Sequence, residues 1–335
     1  GHVDHVFGLK PFEEEAAEQG WEPTDVIAHV NCPKRFDRYI LTNGYNGVIN
    51  ARQFGFPEPV FPTKYRYPDR TLLDSLTLEV GGETIELYHD RGETDDHVWA
   101  WVPRHKTLYT GDLFIWAVPN AGNPQKVQRY PWDWTKGLRA MATLQPKSFC
   151  PGHGGPIVDD PAIIQDMLLS TATYLDTIVE RTMAALNDGS PPHVDIVHRV
   201  QLPESDKPWL KGIYDDAEFI IRNIIRYYGG WWSGRPSELK PAPRDQIAHE
   251  IVTLAGSPFE LGNVDDIYGS PLHPYTKYLI SSLPQVGDKS VRGSVPGTPP
   301  DLSNPPEGCR FNPSCPHVMS RCRSEEPAFK NVDSN

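Results

Sequence analysis

The chain has 335 residues, enough for two domains and a sizeable core, and its 38% hydrophobic and 23% charged residues are ordinary for a globular protein. A net charge of −12 without any Lys/Arg-rich block argues against nucleic acid or an anionic membrane as the main partner. No apolar run approaches the roughly 18–20 residues of a membrane span, and because residue 1 is Gly rather than Met, the true N-terminus is expected to lie upstream.

In chain order, Gly1 to Gly8 reads as a loop and the acidic stretch Lys10–Gln19 as a helix. Asp25–Val30 reads as a short apolar strand, and Pro33–Leu41 as a helix with proline tolerated in its first turn. Residues 55–70, rich in proline and aromatics, suit a surface loop at a substrate entrance. Leu76–Val80 and Thr84–Tyr88 flank Gly81-Gly82, a two-residue hairpin signal; His97–Val102 and Thr107–Thr110 flank a short polar turn in the same way. A loop rich in Pro, Asn and Gly precedes a helix near Trp134–Leu144. The strand Lys147–Cys150 then runs into Pro151-Gly152-His153-Gly154-Gly155.

From Pro161 onward the period is helical, with Ile164, Met167, Leu168, Leu175, Ile178, Val179, Met183 and Leu186 on one face. Another helix spans Tyr214 to Tyr228 and stops at Gly229-Gly230. Asp245–Leu254 is a further short helix, and residues 284–316, dense in Pro, Gly, Ser and Asn, predict irregular chain.

The first chemical signal is His2-Val3-Asp4-His5. Two His and one Asp this close can converge on a cation such as zinc, although the spacing alone fits a surface loop equally well. Its weight comes from Glu93, Asp112 and His153, which stand at the ends of successive predicted strands. His89, His97 and His105 read as loop or supporting residues, with His89 and His97 the reserve ligands should Glu93 point elsewhere. Arg129 and Tyr130 either bind an anionic group of a substrate or simply face solvent. Trp99, Trp101, Trp116, Trp132 and Trp134 read as core and loop packing, some of them at an apolar substrate pocket.

Gly1-His2-Val3-Asp4-His5 resembles the x-H-x-D-H part of the H-x-H-x-D-H motif of the metallo-β-lactamase superfamily, whose first His would precede Gly1. The resemblance implies an α/β fold: residues 1–160 as part of an αβ/βα sandwich without its N-terminal strands, then helices, then an irregular Pro-rich C-terminal segment. It also implies two zinc ions. The missing His, His2 and Glu93 would hold one; Asp4, His5 and His153 would hold the other; Asp112 would bridge. Such a pair lowers the pKa of bound water towards about 7 and polarises an ester, which gives Asp4 and Asp112 catalytic roles. Glu93, where the superfamily usually has His, resembles the alkylsulfatase branch. Residues 161–256, with Tyr228-Gly229-Gly230-Trp231-Trp232, resemble that branch's dimerisation region and imply a homodimer. Asp112 departs from the branch, which usually bridges its metals with Glu, so a small-molecule ester is the broader expectation and a sulfate ester the narrower one. With half of the sandwich missing, such a chain is expected to turn over poorly.

Residues 257–335 resemble something unrelated. Phe259-Glu260-Leu261-Gly262, Pro271-Leu272-His273-Pro274-Tyr275 and Pro305-Pro306-Glu307-Gly308-Cys309 look like the C-terminal extension of oligopeptide/dipeptide ABC-transporter ATP-binding subunits. No G-x-x-x-x-G-K-[ST] loop exists to cradle a nucleotide, so this segment is not expected to hydrolyse ATP. An iron–sulfur cluster needs four thiolates; Cys309, Cys315 and Cys322 could hold a degraded cluster or zinc only with an outside ligand, and otherwise are free thiols. With Cys32 and Cys150 they make an odd set of five, a poor disulfide framework that suits the cytoplasm. The alternative to an enzyme is therefore a non-catalytic transporter module, engaging transporter subunits, fused to an inert hydrolase fragment.

Overall fold

The structure, a computed structural model, describes residues 1–189, 193–248, 277, 306–309 and 311–325. The start is helical where the sequence suggested a loop: α1 (Val3–Val6) runs through a 3-10 turn, Phe7–Leu9, into α2 (Lys10–Gln19). The His2 carbonyl accepts the N–H groups of His5 (3.2 Å) and Val6 (3.1 Å). This winding puts positions 2 and 5 on one side of the turn, so a motif that looks extended in sequence presents its imidazoles together.

β1 (Ile27–His29) pairs in parallel with β2 (Arg70–Leu72). Between them lie α3 (Cys32–Leu41) and α4 (Asn43–Phe54). The latter was not legible in sequence. Its Asn and Gly residues are weak helix formers, and burial of Asn46, Gly47 and Ile49 overrides that propensity. Phe36 and Tyr39 of α3 gather Phe61, Tyr65 and Tyr67 from the proline-rich loop into a small aromatic cluster.

The main sheet has the order β3 (Ser75–Val80), β4 (Glu83–His89), β5 (Val98–Val102), β6 (Thr107–Ile115) and β7 (Ser148–His153). Gly81 and Gly82, at φ +60° and +82°, close the predicted hairpin in the left-handed conformation such turns require. All pairs are antiparallel except β6–β7, and that parallel pair needs a crossover, supplied by α5 (Pro131–Thr143). Trp99 and Trp101 are the two buried residues of β5, two apart and on one face.

Against that face packs α6 (Pro161–Asn187), started by Asp160 accepting the Ile163 N–H at 3.1 Å. After α7 (His193–Ile196), α8 (Ala217–Gly229) adds Ile220, Ile221 and Ile224, all fully buried, and α9 (Pro236–Leu239) follows. The core joins Leu113, Phe114, Trp134, Leu138 and Phe149 of the sheet and α5 to Met167, Leu175 and Ile178 of α6. Trp116 and Trp132 lie outside this core, whereas Trp99, Trp101 and Trp134 are part of it.

The chain divides into two compact units, Gly1–Leu239 and Lys240–Asn335. Residues 244–248 are helical, and the rest of the helix expected at Asp245–Leu254 lies outside the described residues, as does most of the 284–316 stretch. In the second unit Asn312–Ser314 and Ser320–Arg323 are 3-10 turns, and the Cys309 N–H donates to the Cys322 carbonyl at 2.9 Å. Among the described residues no helix is long and apolar enough to cross a membrane.

Asp215, buried just ahead of α8, accepts the N–H groups of Gly122 (2.5 Å) and Asp216 (2.9 Å), tying the loop after β6 to α8. Burial pushes its carboxyl up to about 6, against the pull of those two donors. A carboxyl raised in the folded state contributes most below its unfolded pKa, and that contribution is lost as pH rises through the folded value. Urea unfolding at about pH 4 and about pH 6.5 should therefore show the chain losing on the order of 2 kcal/mol relative to Asp215→Asn across this interval. Parallel curves for the two proteins would contradict it.

Candidate metal centre

Three sheet segments and the first helical turn meet at one rim. Glu93 lies in the β4–β5 loop, Asp112 in β6 and His153 at the end of β7, while His2, Asp4 and His5 come from α1 and its cap. Two groups of donor atoms result, each within 4.8 Å of one another: exposed Asp4, His5 and His153, and the more buried His2, Glu93 and Asp112. Asp112 sits between them. Its Oδ2 is 2.9 Å from His5 Nε2 and 3.6 Å from His2 Nδ1, and its Oδ1 is 3.4 Å from His153 Nε2. His153 Nε2 is also 3.2 Å from Asp4 Oδ2, and His2 Nδ1 is 3.7 Å from Glu93 Oε1.

The register of β6 against β7 shifts on either side of Gly111, which re-aims Asp112 towards this rim. Gly152 allows the closest approach: a Cβ there would stand 2.4 Å from Asp112 Oδ1 and 2.6 Å from the Gly111 carbonyl carbon. Asp112 Oδ1 is buried without a hydrogen-bond partner. With that oxygen unpartnered, and with three imidazoles and two further carboxylates gathered around Asp112, the donor set fits a borderline dication.

Electrostatics set the protonation of these donors. Burial drives His2 down to about 4, although the nearby Asp112 carboxylate works the other way, so its imidazole is neutral and free to ligate near neutral pH. The hydrogen bond that His5 donates to the Asp112 carboxylate raises His5. Burial also acts to raise Asp112, but the neighbouring His2 and the hydrogen bond from His5 outweigh it and hold the carboxyl well below the usual range. Burial pushes Glu93 up to about 7, opposed chiefly by the Arg129 charge. Arg129 Nη2 lies 3.2 Å from Glu93 Oε1, its Nη1 donates to the Glu93 carbonyl, and Asn120 Nδ2 donates to the same carboxylate. Arg35 of α3 clamps the same loop further along, with Nε donating to Asp96 Oδ1 at 2.8 Å and Nη2 to Asp95.

The reserve histidines are turned away. His89 Nδ1 bonds the His97 carbonyl at 2.7 Å and its ring stacks on His29 at 3.6 Å; His97 Nε2 meets the Thr110 carbonyl at 2.8 Å, behind the Asp112 strand. His105 reaches Glu83 at 3.3 Å on a distant turn. The two residues expected at the substrate have different surroundings: Arg129 lines the large cavity over the centre, and Tyr130 does not. Arg129 is 2% exposed and its guanidinium is engaged with Glu93. Tyr130 faces a separate cavity of about 310 Å³, with Arg91 4.8 Å above its ring and Tyr227 edge-on. Adjacent residues at the entry to α5 point to opposite sides. Cys309, Cys315 and Cys322 form no disulfide, and among the described residues no converging group of metal-binding side chains includes them. Arg35 and Asn120, which hold the Glu93 loop, carried no sequence signal; only their partners, buried Asp96 and Glu93 and half-buried Asp95, reveal them.

Residues 1–153 match the metallo-beta-lactamase superfamily, 193–264 the alkyl sulfatase dimerisation family, and 259–322 the C-terminal region of oligopeptide/dipeptide transporters. The linear primary-alkylsulfatase of Pseudomonas sp. (strain ATCC 19151) is 26% identical over 276 residues, covering 76% of this chain and 52% of that protein. The dipeptide transport ATP-binding protein DppD of Escherichia coli (strain K12) is 42% identical over 86 residues, 25% of this chain and 26% of that protein. Among solved structures, the inverting sec-alkylsulfatase Pisa1 from Pseudomonas sp. superposes with a TM-score of 0.66 at 18% identity, over 80% of this chain and 45% of its own. This likeness shows that the chain has the metallo-β-lactamase α/β fold. The chain spans about half the length of the alkylsulfatases it matches, and about a quarter of the transporter subunit.

If Asp112 is what raises His5, replacing the carboxylate with an amide should lower the pH at which His5 titrates. Imidazole proton NMR on the metal-free chain and on Asp112→Asn measures this, and an unshifted His5 resonance would break the assignment of cause.

Proposed function

We propose that the chain is a metal-dependent ester hydrolase with a dinuclear zinc centre: His2, Glu93 and Asp112 around one ion, and Asp4, His5 and His153 around the other, with Asp112 shared. The observation that carries this reading is Asp112, whose carboxylate stands between the two donor groups, with His2 of one and His5 and His153 of the other all within 3.6 Å of its oxygens. Zinc held there would supply Lewis-acid polarisation of an ester oxygen and a water whose pKa is lowered to about 7.

The chain's own residues contribute positioning. Arg129 and Asn120 fix the Glu93 carboxylate, Gly152 leaves room for Asp112, and Arg35 holds the loop behind them. A cavity of about 1000 Å³ opens over the centre, with Tyr45, Phe54, Phe56 and Phe61 among its lining residues, against which an ester's organic part can lie. A sulfate ester is the narrower substrate reading, supported by the alkylsulfatase likeness and by Glu93 among the donors. A homodimer through residues 161–256 is supported by the match to the dimerisation family.

Residues 257–335 form, in this reading, a third segment beside 1–160 and 161–256. Its 42% identity to a dipeptide-transport subunit favours a second role, docking to transporter components without catalysis. Metal content separates the two readings. Calorimetric titration of the metal-free chain should reach two zinc equivalents, Glu93→Gln and His153→Ala should each reduce this to about one, and the loaded chain should cleave a chromogenic aryl sulfate or phosphate ester. No zinc uptake would leave the transporter role standing alone.

A further inference from the structure

The large cavity has an electrostatic asymmetry that the metal centre does not absorb. Its lining carries three carboxylates, Asp4, Glu93 and Asp112, all in the donor groups, and five cations. Two of those cations are matched: Arg35 to Asp95 and Asp96, and Arg129 to Glu93. The other three have only neutral partners. Arg38 lies 4.6 Å over the Tyr39 ring. Lys126 Nζ donates to Asn50 Oδ1 at 3.1 Å. Arg226 donates from Nε to Gln128 Oε1 at 3.3 Å and from Nη1 to the Lys126 carbonyl at 3.4 Å, so α8 sets it directly beside Lys126.

Among the described residues none of these three makes an ion pair. Burial lowers all three basic groups, and the neighbouring Arg129 charge lowers Lys126 and Arg226 further, against a smaller opposing pull of Glu93 on Lys126 and of Tyr39 and Asp95 on Arg38. Gathering unmatched cations in a half-closed cavity is unfavourable unless an anion joins them. Two divalent ions at the donor groups would outweigh the three carboxylates there, leaving nothing in the cavity to neutralise this end. Arg129, which lines the same cavity, also keeps its Nε buried without an acceptor.

We propose that Arg38, Lys126 and Arg226 form an anion subsite for a second negatively charged group of the substrate, so that the preferred ester also bears a carboxylate, sulfate or phosphate away from its scissile bond. That the ligand is a substrate rests on the hydrolase reading above; the anion subsite itself does not. Phe54 and Phe56 then flank the organic linker between the two charged ends.

Calorimetry on the metal-free full chain decides the subsite without any catalysis. Hexanesulfonate should bind at one saturable site, weaken as salt rises, and bind at least about tenfold more tightly than hexanol, which has the same chain and no charge. Lys126→Met and Arg38→Gln should each weaken hexanesulfonate by about tenfold while leaving hexanol unchanged. With zinc bound, hexanedisulfonate should bind about tenfold more tightly than hexanesulfonate, because both ends then find a positive site. Equal binding of hexanesulfonate and hexanol by the unaltered chain would assign the affinity to the aromatic lining residues and overturn the proposal, as would sulfonate binding untouched by both substitutions. Failure to take up zinc would defeat the hydrolase reading while leaving the sulfonate comparison to decide the subsite.

Discussion

Two carboxylates buried within reach of one imidazole govern how this molecule is built. Glu93 and Asp112 both approach His2 Nδ1, at 3.7 and 3.6 Å, in surroundings that remove most of the water. Ionised carboxylates so placed repel one another, and burial alone would protonate them. The fold answers each differently. Asp112 takes its compensation from histidines and keeps one oxygen without a partner, while Glu93 takes it from Arg129 and Asn120.

That requirement reaches well beyond the site. Arg129 can stand behind Glu93 only because the chain after β6 turns back before α5, and this loop is held by buried Asp215 ahead of α8. Asn223 of α8 donates to the Arg129 carbonyl at 3.0 Å, so the helical layer also fixes the residue that fixes Glu93. On the opposite side, Arg35 of α3 reaches the same β4–β5 loop. The sheet supplies the strand ends, but helices on both sides of the site determine where Glu93 points, and a site on rigid elements with buried supports is preorganised.

The histidine distribution follows the same logic. His29, His89 and His97 are hydrogen-bonded or stacked behind the β6 strand, and burial pushes His97 down to about 4, so it is a neutral packing and hydrogen-bonding group. The histidines at the rim face Asp112 instead. Chemically identical side chains thus divide into supports and donors according to which side of one strand they occupy.

Much of this was legible in sequence. The Gly81-Gly82 hairpin, α2, the period of α6 and the glycine stop of α8 are local signals, fixed by backbone conformation and by apolar spacing within one element. The candidate donor residues were named from the sequence, and the structure brings them together as two groups. The sequence could not determine which neighbours complete the site. Arg129 and Tyr130 are adjacent and equally polar, yet one is buried against Glu93 and the other lines a different cavity; that depends on how the chain enters α5. Nor could it yield α4, whose residues disfavour helix until packing buries them, or the grouping of Arg38, Lys126 and Arg226 from three separate parts of the chain. Local rules operate over a few residues, whereas burial, close approach and the summed field of distant charges exist only once the chain has folded.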